Sequence, residues 1–317
     1  MLTALKFCQG SIAKKDFLPA LTHFRIEKGT VRGFNGMIAL SSPINCDIDC
    51  TPEAIPLIKA IQNCKEAITL YMTDAGRLAV KSGSFRVFIN CIHEVTPHAE
   101  PEGEILSLDC KALFDAVSKL NPLIGNDASR PWSNGILFRG KSAYATNNII
   151  ICEYWLGSVF PVEMNIPQAA IDEILRIGVP PVKVQYTETC LTLHYENGSW
   201  LRTQLLDNKW PDIGRILNAD SNPVNLDNRI FEGLETIKPF CDKRNTVYFT
   251  LGSMSTCPDP SDGAVFNIEG MDFQGCYSIP MLQLLKGLAK TIDHTLYPSP
   301  ALFFGDRLRG AIVGIRT

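Results

Sequence analysis

IPQAAIDEILRIG (166–178) is a helix-like apolar stretch in which two aliphatic residues are followed by a basic one, Ile174-Leu175-Arg176. The same signature marks TPEAIPLIKAIQNC (51–64) with Leu57-Ile58-Lys59, and PMLQLLKGLAK (280–290) with Leu284-Leu285-Lys286. The basic residues stand 117 and 110 positions apart, far beyond the roughly 20–50 residues of a solenoid repeat. A period this long predicts three copies of a whole domain within 317 residues. Copies that turn their basic residue the same way would build a surface of regularly spaced positive charge.

The flanking sequence repeats as well. GILFRGKSAYATNNIIICEYWLG (135–157) precedes the middle helix, and PVKVQYTETCLTLHYENGSWLRTQLL (181–206), turning at Glu196-Asn197-Gly198, follows it. TVRGFNGMIALSS (30–42) precedes the first helix; AITLYMT and RLAVKSGSFRVFINCI follow, parted by Asp74-Ala75-Gly76. In the third copy the partners are GAVFNIEGMDFQGCYSI (263–279) and HTLYPSPALFFGDRLRGAIVGI (294–315), turning at Gly305-Asp306. Period-2 alternation makes each copy a strand pair, a helix and a hairpin. Pro52, Pro167 and Pro280 stand near the helix starts, where a missing N–H costs least. A second helix per copy is expected upstream: SLDCKALFDAVSKLNPLI (107–124), NLDNRIFEGLETIKPF (225–240) and, in the first copy, only the shorter IAKKDFLPALTHF (12–24). The polar stretches HEVTPHAEPEGE and NADSNPVN set the expected domains at 1–103 (trimmed at its N-terminus), 104–219 and 220–317.

Composition excludes several classes. Apolar content of 45% and charged content of 20% describe an ordinary globular protein, and no run approaches the roughly 20 apolar residues of a membrane helix. The opening MLTALKFCQG has neither an apolar core nor a small-residue cleavage site, so no signal peptide is expected and the location expected is cytoplasmic. Eleven cysteines without CxxC spacing fit reduced, buried thiols better than disulfides or zinc. With a net charge of −3, nucleic-acid binding would have to rest on an uneven charge distribution.

Catalytic signals are missing. The five histidines (His23, His93, His98, His194 and His294) have no metal-ligand spacing, and neither GxSxG nor a P-loop occurs. Asp172-Glu173 point about 100° apart on a helix and suit a solvated face better than an acid–base pair. No enzyme activity and no cofactor are expected. A lone basic residue near a helix end ordinarily serves the helix dipole and solubility. Three at matching places suit sequence-independent contact with phosphates. Lys14-Lys15 join Lys59, Arg176 and Lys286 as candidates, with Ser129-Arg130-Pro131-Trp132 offering a basic–aromatic pair able to stack on an unpaired base. Trp132 serves equally well as a half-buried loop aromatic.

These segments resemble the bacterial-type DNA sliding clamp, the beta subunit of the replicative polymerase. NGILFRGKSAYATNNIIICEY (134–154) is similar to that family's NG-x-LFE…ATDGHRLA, and IPQAAIDEILRIG to its VPRKGVIELMR helix. WLRTQLLDNKWPDIGRIL (200–217) resembles its F-x-S-x-LVDG-x-FPDY-x-x-VLP segment, and AIVGIRT (311–317) its ending VMPMRL. In the first copy, KKDFLPAL (14–21) is similar to R-P-x-LPIL and SGSFRVF (82–88) to SG-x-SRF. Departures are the Asn147-Asn148-Ile149-Ile150-Ile151 run in place of DGHRL, Gly314 in place of Pro, and Thr317 in place of the final Leu.

The resemblance implies an α+β fold of three repeated clamp-type domains, each with two helices packed on antiparallel sheets, forming half of a closed ring. Two protomers would close head to tail around duplex DNA. The DNA contacts it implies fall on Lys15, Arg130, Trp132 and Arg176; Lys59 follows from a looser match, and Lys286 from the internal repeat. It further implies a pocket that takes short peptides from the polymerase, the clamp loader and repair proteins. The expected walls are Ser133, Thr146, Asn148, Ile149, Ile151, Pro211, Arg215, Ile216, Ala311, Val313, Ile315 and Arg316. A compact, divergent clamp would suit a bacterial virus or mobile element. The rivals are a clamp-like protein that does not close, binding DNA or sequestering clamp-binding partners, and an enzyme using scattered acidic residues.

Overall fold

The computed structural model describes residues 1–14, 18–93, 97, 99–207 and 209–316. In the first repeat, α1 (Leu2–Cys8) leads to β1 (Arg25–Glu27), β2 (Thr30–Phe34), β3 (Ile38–Pro43) and α2 (Ala54–Asn63), then to β4 (Thr69–Met72), β5 (Leu78–Ser82) and β6 (Phe85–Ile89). The second runs through β7 (Glu104–Leu106), α3 (Cys110–Leu120), β8 (Gly135–Arg139), β9 (Ser142–Thr146), β10 (Ile150–Trp155) and β11 (Met164–Pro167). It continues with α4 (Gln168–Ile177), β12 (Lys183–Tyr186), β13 (Cys190–His194) and β14 (Trp200–Gln204), and the short α5 (Gly214–Leu217) follows. The third comprises β15 (Val224–Asn225), α6 (Arg229–Ile237), β16 (Thr246–Thr250), β17 (Ser253–Ser255), β18 (Val265–Asn267) and β19 (Gly275–Ser278). It ends with α7 (Ile279–Gln283), β20 (Thr291–Asp293), β21 (Ala301–Gly305) and β22 (Leu308–Ile312). Two helices and two groups of antiparallel strands therefore recur three times.

The helices form because their apolar residues fall on one face. In α2 Ala54, Leu57, Ile58 and Ile61 are buried, and in α6 Ile230, Gly233, Leu234 and Ile237, the i, i+3, i+4, i+7 spacing of an amphipathic helix; Ala60 and Phe231 widen the two buried faces. Gly178 ends α4 in the left-handed conformation, and its N–H donates to Ile174 O at 3.1 Å. Gly233 of α6 is required by packing, since a Cβ there would stand 2.7 Å from the Phe266 ring of β18.

Two expectations change. The first repeat's upstream helix is α1, seven residues beginning at Leu2, not 12–24; Pro19–Thr22 within that range is only a 3₁₀ turn. Pro19 supplies no N–H and fits such a turn better than a continuing helix. The shared signature also differs in place. Arg176 lies in the last turn of α4, but α2 runs on past Lys59 to bury Ala60 and Ile61. After α7, Leu284–Lys286 form tighter i→i+3 bonds, so Lys286 lies beyond the helix.

The strands assemble so that one repeat's sheet continues into the next. In one sheet the order is β1-β2-β3-β14-β13-β12-β7, with β3 of the first repeat against β14 of the second. In another it is β11-β8-β9-β10-β22-β21-β20-β15, with β10 of the second repeat against β22 of the third. The remaining strands form smaller sheets, β4-β5-β6 and β18-β17-β16-β19. Compact bodies therefore cut across the repeats: Met1–Phe114 with Ile166–Leu206 form one, and Asp115–Asn165 with Asp207–Thr317 the other.

Candidate functional site

A cavity forms where β10 meets β22. Its first wall is the β9–β10 turn. Asn147 Oδ1 accepts hydrogen bonds from the N–H groups of Ile149 (3.1 Å) and Ile150 (2.8 Å), an Asx turn. Asn148 sits in the left-handed region at φ +71°, which asparagine tolerates better than most residues. This turn aims Ile149 outward, and Ile151, two positions on, lies on the same face of the strand. Across the seam Ile151 pairs with Ala311, and Val313 N donates to Ile149 O at 2.9 Å. Ala311 and Val313 therefore share that face.

The other wall follows β14. Asp212 Oδ1 accepts from Gly214 N at 3.0 Å and starts α5. Trp210, Ile213 and Leu217 sink into a core with Leu137, Ile151, Leu302 and Ala311. Trp132, half-buried, packs edge-on against Trp210, with ring centroids 5.0 Å apart and planes at 63°. Arg309 on β22 fastens α5 by donating from Nη1 to Leu217 O at 3.1 Å. The same guanidinium pairs with Glu153 of β10 at 2.6 Å. Burial opposes ionisation of Glu153, yet hydrogen bonds from Ser142, Arg309 and Tyr144 outweigh it and hold the carboxyl below its usual range.

The cavity measures about 260 Å³, near the lower end of the roughly 300–1,000 Å³ typical of ligand sites. Thr146, Asn148, Ile149, Ile151, Pro211, Ile216, Ala311 and Val313 line it, together with Arg130, Trp132, Ile150, Asp212, Ile213 and Pro300. Its rim leaves Ile149, Ile216 and Val313 exposed, and covering a side chain of this size is worth roughly 1.5–3 kcal/mol. Polar groups frame the mouth. Arg130 Nη1 donates to Asn148 Oδ1 (3.0 Å), and Asn148 Nδ2 to Asp127 Oδ2 (3.4 Å). Hydrogen bonds from the side chain and backbone of Ser129 hold the exposed Asp127 carboxyl below its usual range.

Four residues named for this wall lie elsewhere. Ser133 is buried behind it and donates to Arg130 O at 2.8 Å. Arg215 is outside the lining. Ile315 and Arg316 also leave it, because Ile315 N bonds to Cys276 O (2.7 Å) and Tyr297 Oη donates to Ile315 O (2.6 Å). Conversely, Ile150, Asp212 and Ile213, which stand among expected wall residues, and Pro300, just before β21, line the cavity without a sequence signal of their own.

The basic residues are dispersed. Lys14 and Lys59 are exposed, and Lys15 lies outside the described residues. Arg176 pairs with Glu173 at 2.6 Å and donates to the carbonyls of Lys6 (3.1 Å) and Phe7 (2.7 Å), capping the end of α1. Lys286 pairs with Glu235 at 2.9 Å. Arg130 and Trp132 belong to the cavity. Among the described residues no cluster of three or more His, Cys, Asp or Glu could hold a metal ion. No helix there is long and apolar enough to cross a membrane.

Solved structures decide the fold. The beta subunit of DNA polymerase from Streptococcus pyogenes superposes with a TM-score of 0.85 at 18% identity, covering 100% of this chain and 97% of that one. This chain has the sliding-clamp fold. The DNA polymerase sliding clamp of Bacillus subtilis matches over the same shares at TM-score 0.82 and 16% identity. The Helicobacter pylori beta clamp, solved bound to a DNA ligase peptide, does so at 0.81 and 17%. No protein-family model and no curated protein sequence matches this chain. The clamp fold is thus shared at identities of 16–18%.

Proposed function

We propose that this chain is a DNA sliding clamp, a processivity factor without chemistry of its own that encircles duplex DNA as a head-to-tail homodimer. The observation that carries the reading is how the repeats join. Each seam pairs the last strand of one repeat's middle strands (β3, β10) with the last strand of the next repeat (β14, β22). Applied once more, that rule leaves two open edges, β18 of the third repeat and β6 of the first. Two copies satisfy both by pairing head to tail, giving six domains with boundaries at 1–103, 104–219 and 220–317. Each edge strand carries an exposed apolar residue: Phe88 on β6 and Val265 on β18. Exposed apolar residues on an unpaired strand suit an interface.

Encirclement replaces tight binding, so channel cations need only weak phosphate contacts that fade with salt. Lys59, Lys14 and Lys15 serve that role best; Arg176 and Lys286 contribute charge from within their ion pairs. Arg130 and Trp132 are assigned instead to the cavity, which would take a short apolar peptide from the polymerase or clamp loader. This places the work in the cytoplasm with replicating DNA.

One observation favours the rival, a clamp-like monomer that sequesters clamp-binding partners. β18 has three residues where the internal seam β10–β22 has five pairs, so closure is weaker than the internal joins. Equilibrium sedimentation separates the readings, a dimer at micromolar concentration supporting the ring and a monomer the rival. Loaded on nicked circular DNA, a ring stays bound until the circle is cut and then slides off. Retention on linear DNA with free ends would sink the encirclement reading.

A further inference from the structure

The seam between β10 and β22 has a second end. The cavity lies at Ile150; about 17 Å along the strand, at some 3.3 Å per residue, stands Trp155. Its side chain is 51% exposed. Two hairpin turns flank it. The β21–β22 turn supplies Arg307, held in the left-handed region at φ +58°, where long side chains are uncommon. Trp155 N donates to Arg307 O (2.7 Å), and Arg307 Nε to Trp155 O (3.2 Å). The guanidinium lies 5.5 Å from the Trp155 ring centre and 5.6 Å from that of Tyr154. Gly157 makes room for it, since a Cβ there would stand 3.0 Å from Arg307 Nη2. The β8–β9 turn supplies Lys141, whose carbonyl accepts from Leu156 N at 2.8 Å, and Arg139, stacked 5.5 Å from the Tyr144 ring.

Charge here runs against the molecule's net −3. Arg139, Lys141 and Arg307 have no ion pair among the described residues. The nearby carboxylates are neutralised, Asp306 by Lys290 (2.5 Å) and Glu153 by Arg309 (2.6 Å). Beside the β21–β22 turn a groove of about 380 Å³ is lined by Trp155, Phe304, Arg307 and Leu308, with the Glu153–Arg309 ion pair at its base. Planar cations stacked on aromatic rings, next to an open indole and a net charge of +3, form a platform for a flat, negatively charged polymer.

We infer that the Trp155–Arg307 end of this seam binds single-stranded nucleic acid, one base stacking on Trp155 and flanking phosphates meeting Arg307 and Lys141. The inference stands whether or not the chain closes into a ring. Stacking favours an unpaired strand, because a duplex keeps its base faces covered. It also favours nucleic acid over an acidic peptide, whose carboxylates would use the charges but leave the indole unused.

The test is fluorescence anisotropy of a labelled oligothymidylate titrated with the full chain. Trp155→Ala should weaken binding about tenfold, as expected for one lost stacking contact, while Trp155→Phe keeps most of it. Arg307→Gln and Lys141→Gln should each lower the slope of log affinity against log salt by about 0.7. Lys183→Ala, at an exposed lysine of β12, should change nothing. Should Trp155→Ala not fold, the salt slopes of the two glutamine variants decide instead. Unchanged affinity in Trp155→Ala with unchanged slopes overturns the inference. So does loss of binding in Lys183→Ala but not in Trp155→Ala, or displacement of the oligonucleotide by polyglutamate at lower concentration than by unlabelled oligothymidylate.

Discussion

The two internal seams are built by one rule and end in opposite chemistry. Before β3, Asn35 Oδ1 accepts from Met37 N and Ile38 N, just as Asn147 Oδ1 does from Ile149 N and Ile150 N before β10. The registers match too: Ala39 faces Arg202 where Ile151 faces Ala311. Residue size then separates them. Ala311 and Val313 leave room for the 260 Å³ cavity, whereas the corresponding Arg202 and Gln204 are long and polar. The linkers follow suit. At the first seam Glu100 pairs with Arg32 and Glu102 with Arg202, laying an acidic strap over the sheet. At the second, the linker sinks Trp210, Ile213 and Leu217 into the core and forms a wall. A repeated backbone thus becomes a fastening in one place and the wall of a cavity in the other through a few side chains.

The largest break in this contrast should come from Ile213→Ala, which removes an apolar side chain from the core beneath the cavity wall. A cost of about 2–5 kcal/mol is expected, read as a lower melting midpoint and lost peptide binding. Arg309→Gln comes next, at about 1–3 kcal/mol, because it leaves the partly buried Glu153 without its cation and frees α5 from Leu217 O. Glu153 also sets an acid limit. Its folded-state pKa lies below the unfolded value of about 4.5, so its stabilisation is present above that value and disappears as pH falls through the folded one. Melting curves from pH 6 to 3 should show the loss in the wild type and a smaller loss in Arg309→Gln.

Val313→Gln makes the second seam imitate Gln204 of the first. Affinity for an apolar peptide should fall about tenfold, or ~1.4 kcal/mol, with the melting midpoint unchanged. A normal affinity would show that the peptide binds elsewhere. The smallest effect belongs to the strap. Glu100 and Glu102 are half-exposed, and such pairs are worth about 0–1 kcal/mol. Glu102→Gln should therefore shift the midpoint by no more than a few degrees, and high salt should erase the difference.

Much of this was legible in sequence where the pattern is local. Alternation placed the hairpins, and the run Asn147–Ile151 carries both the turn and one cavity wall. α1 gives little sequence signal because LTALKFC makes only about two turns and has no side-chain cap. Trp132 read equally as a base-stacking or a buried ring, and only Trp210, 78 residues away, settles where it packs. The tail was misplaced at Ile315 because its partners, Cys276 and Tyr297, belong to other strands and loops. The basic residues divide similarly: Arg176 lies in the last turn of α4, but its bonds to α1 carbonyls are invisible in a linear pattern.

The position of β22 between β10 and β21 also constrains how the molecule comes into being. The ribosome delivers residues 150–155 some 150 residues before the strand that joins them to β21, and β3 likewise precedes β14 by about 160. Neither large sheet can be completed while its own early strands are emerging. Until Leu308–Ile312 are released, β10 presents an unpaired edge. The nascent chain is then most open to aggregation or to chaperone capture.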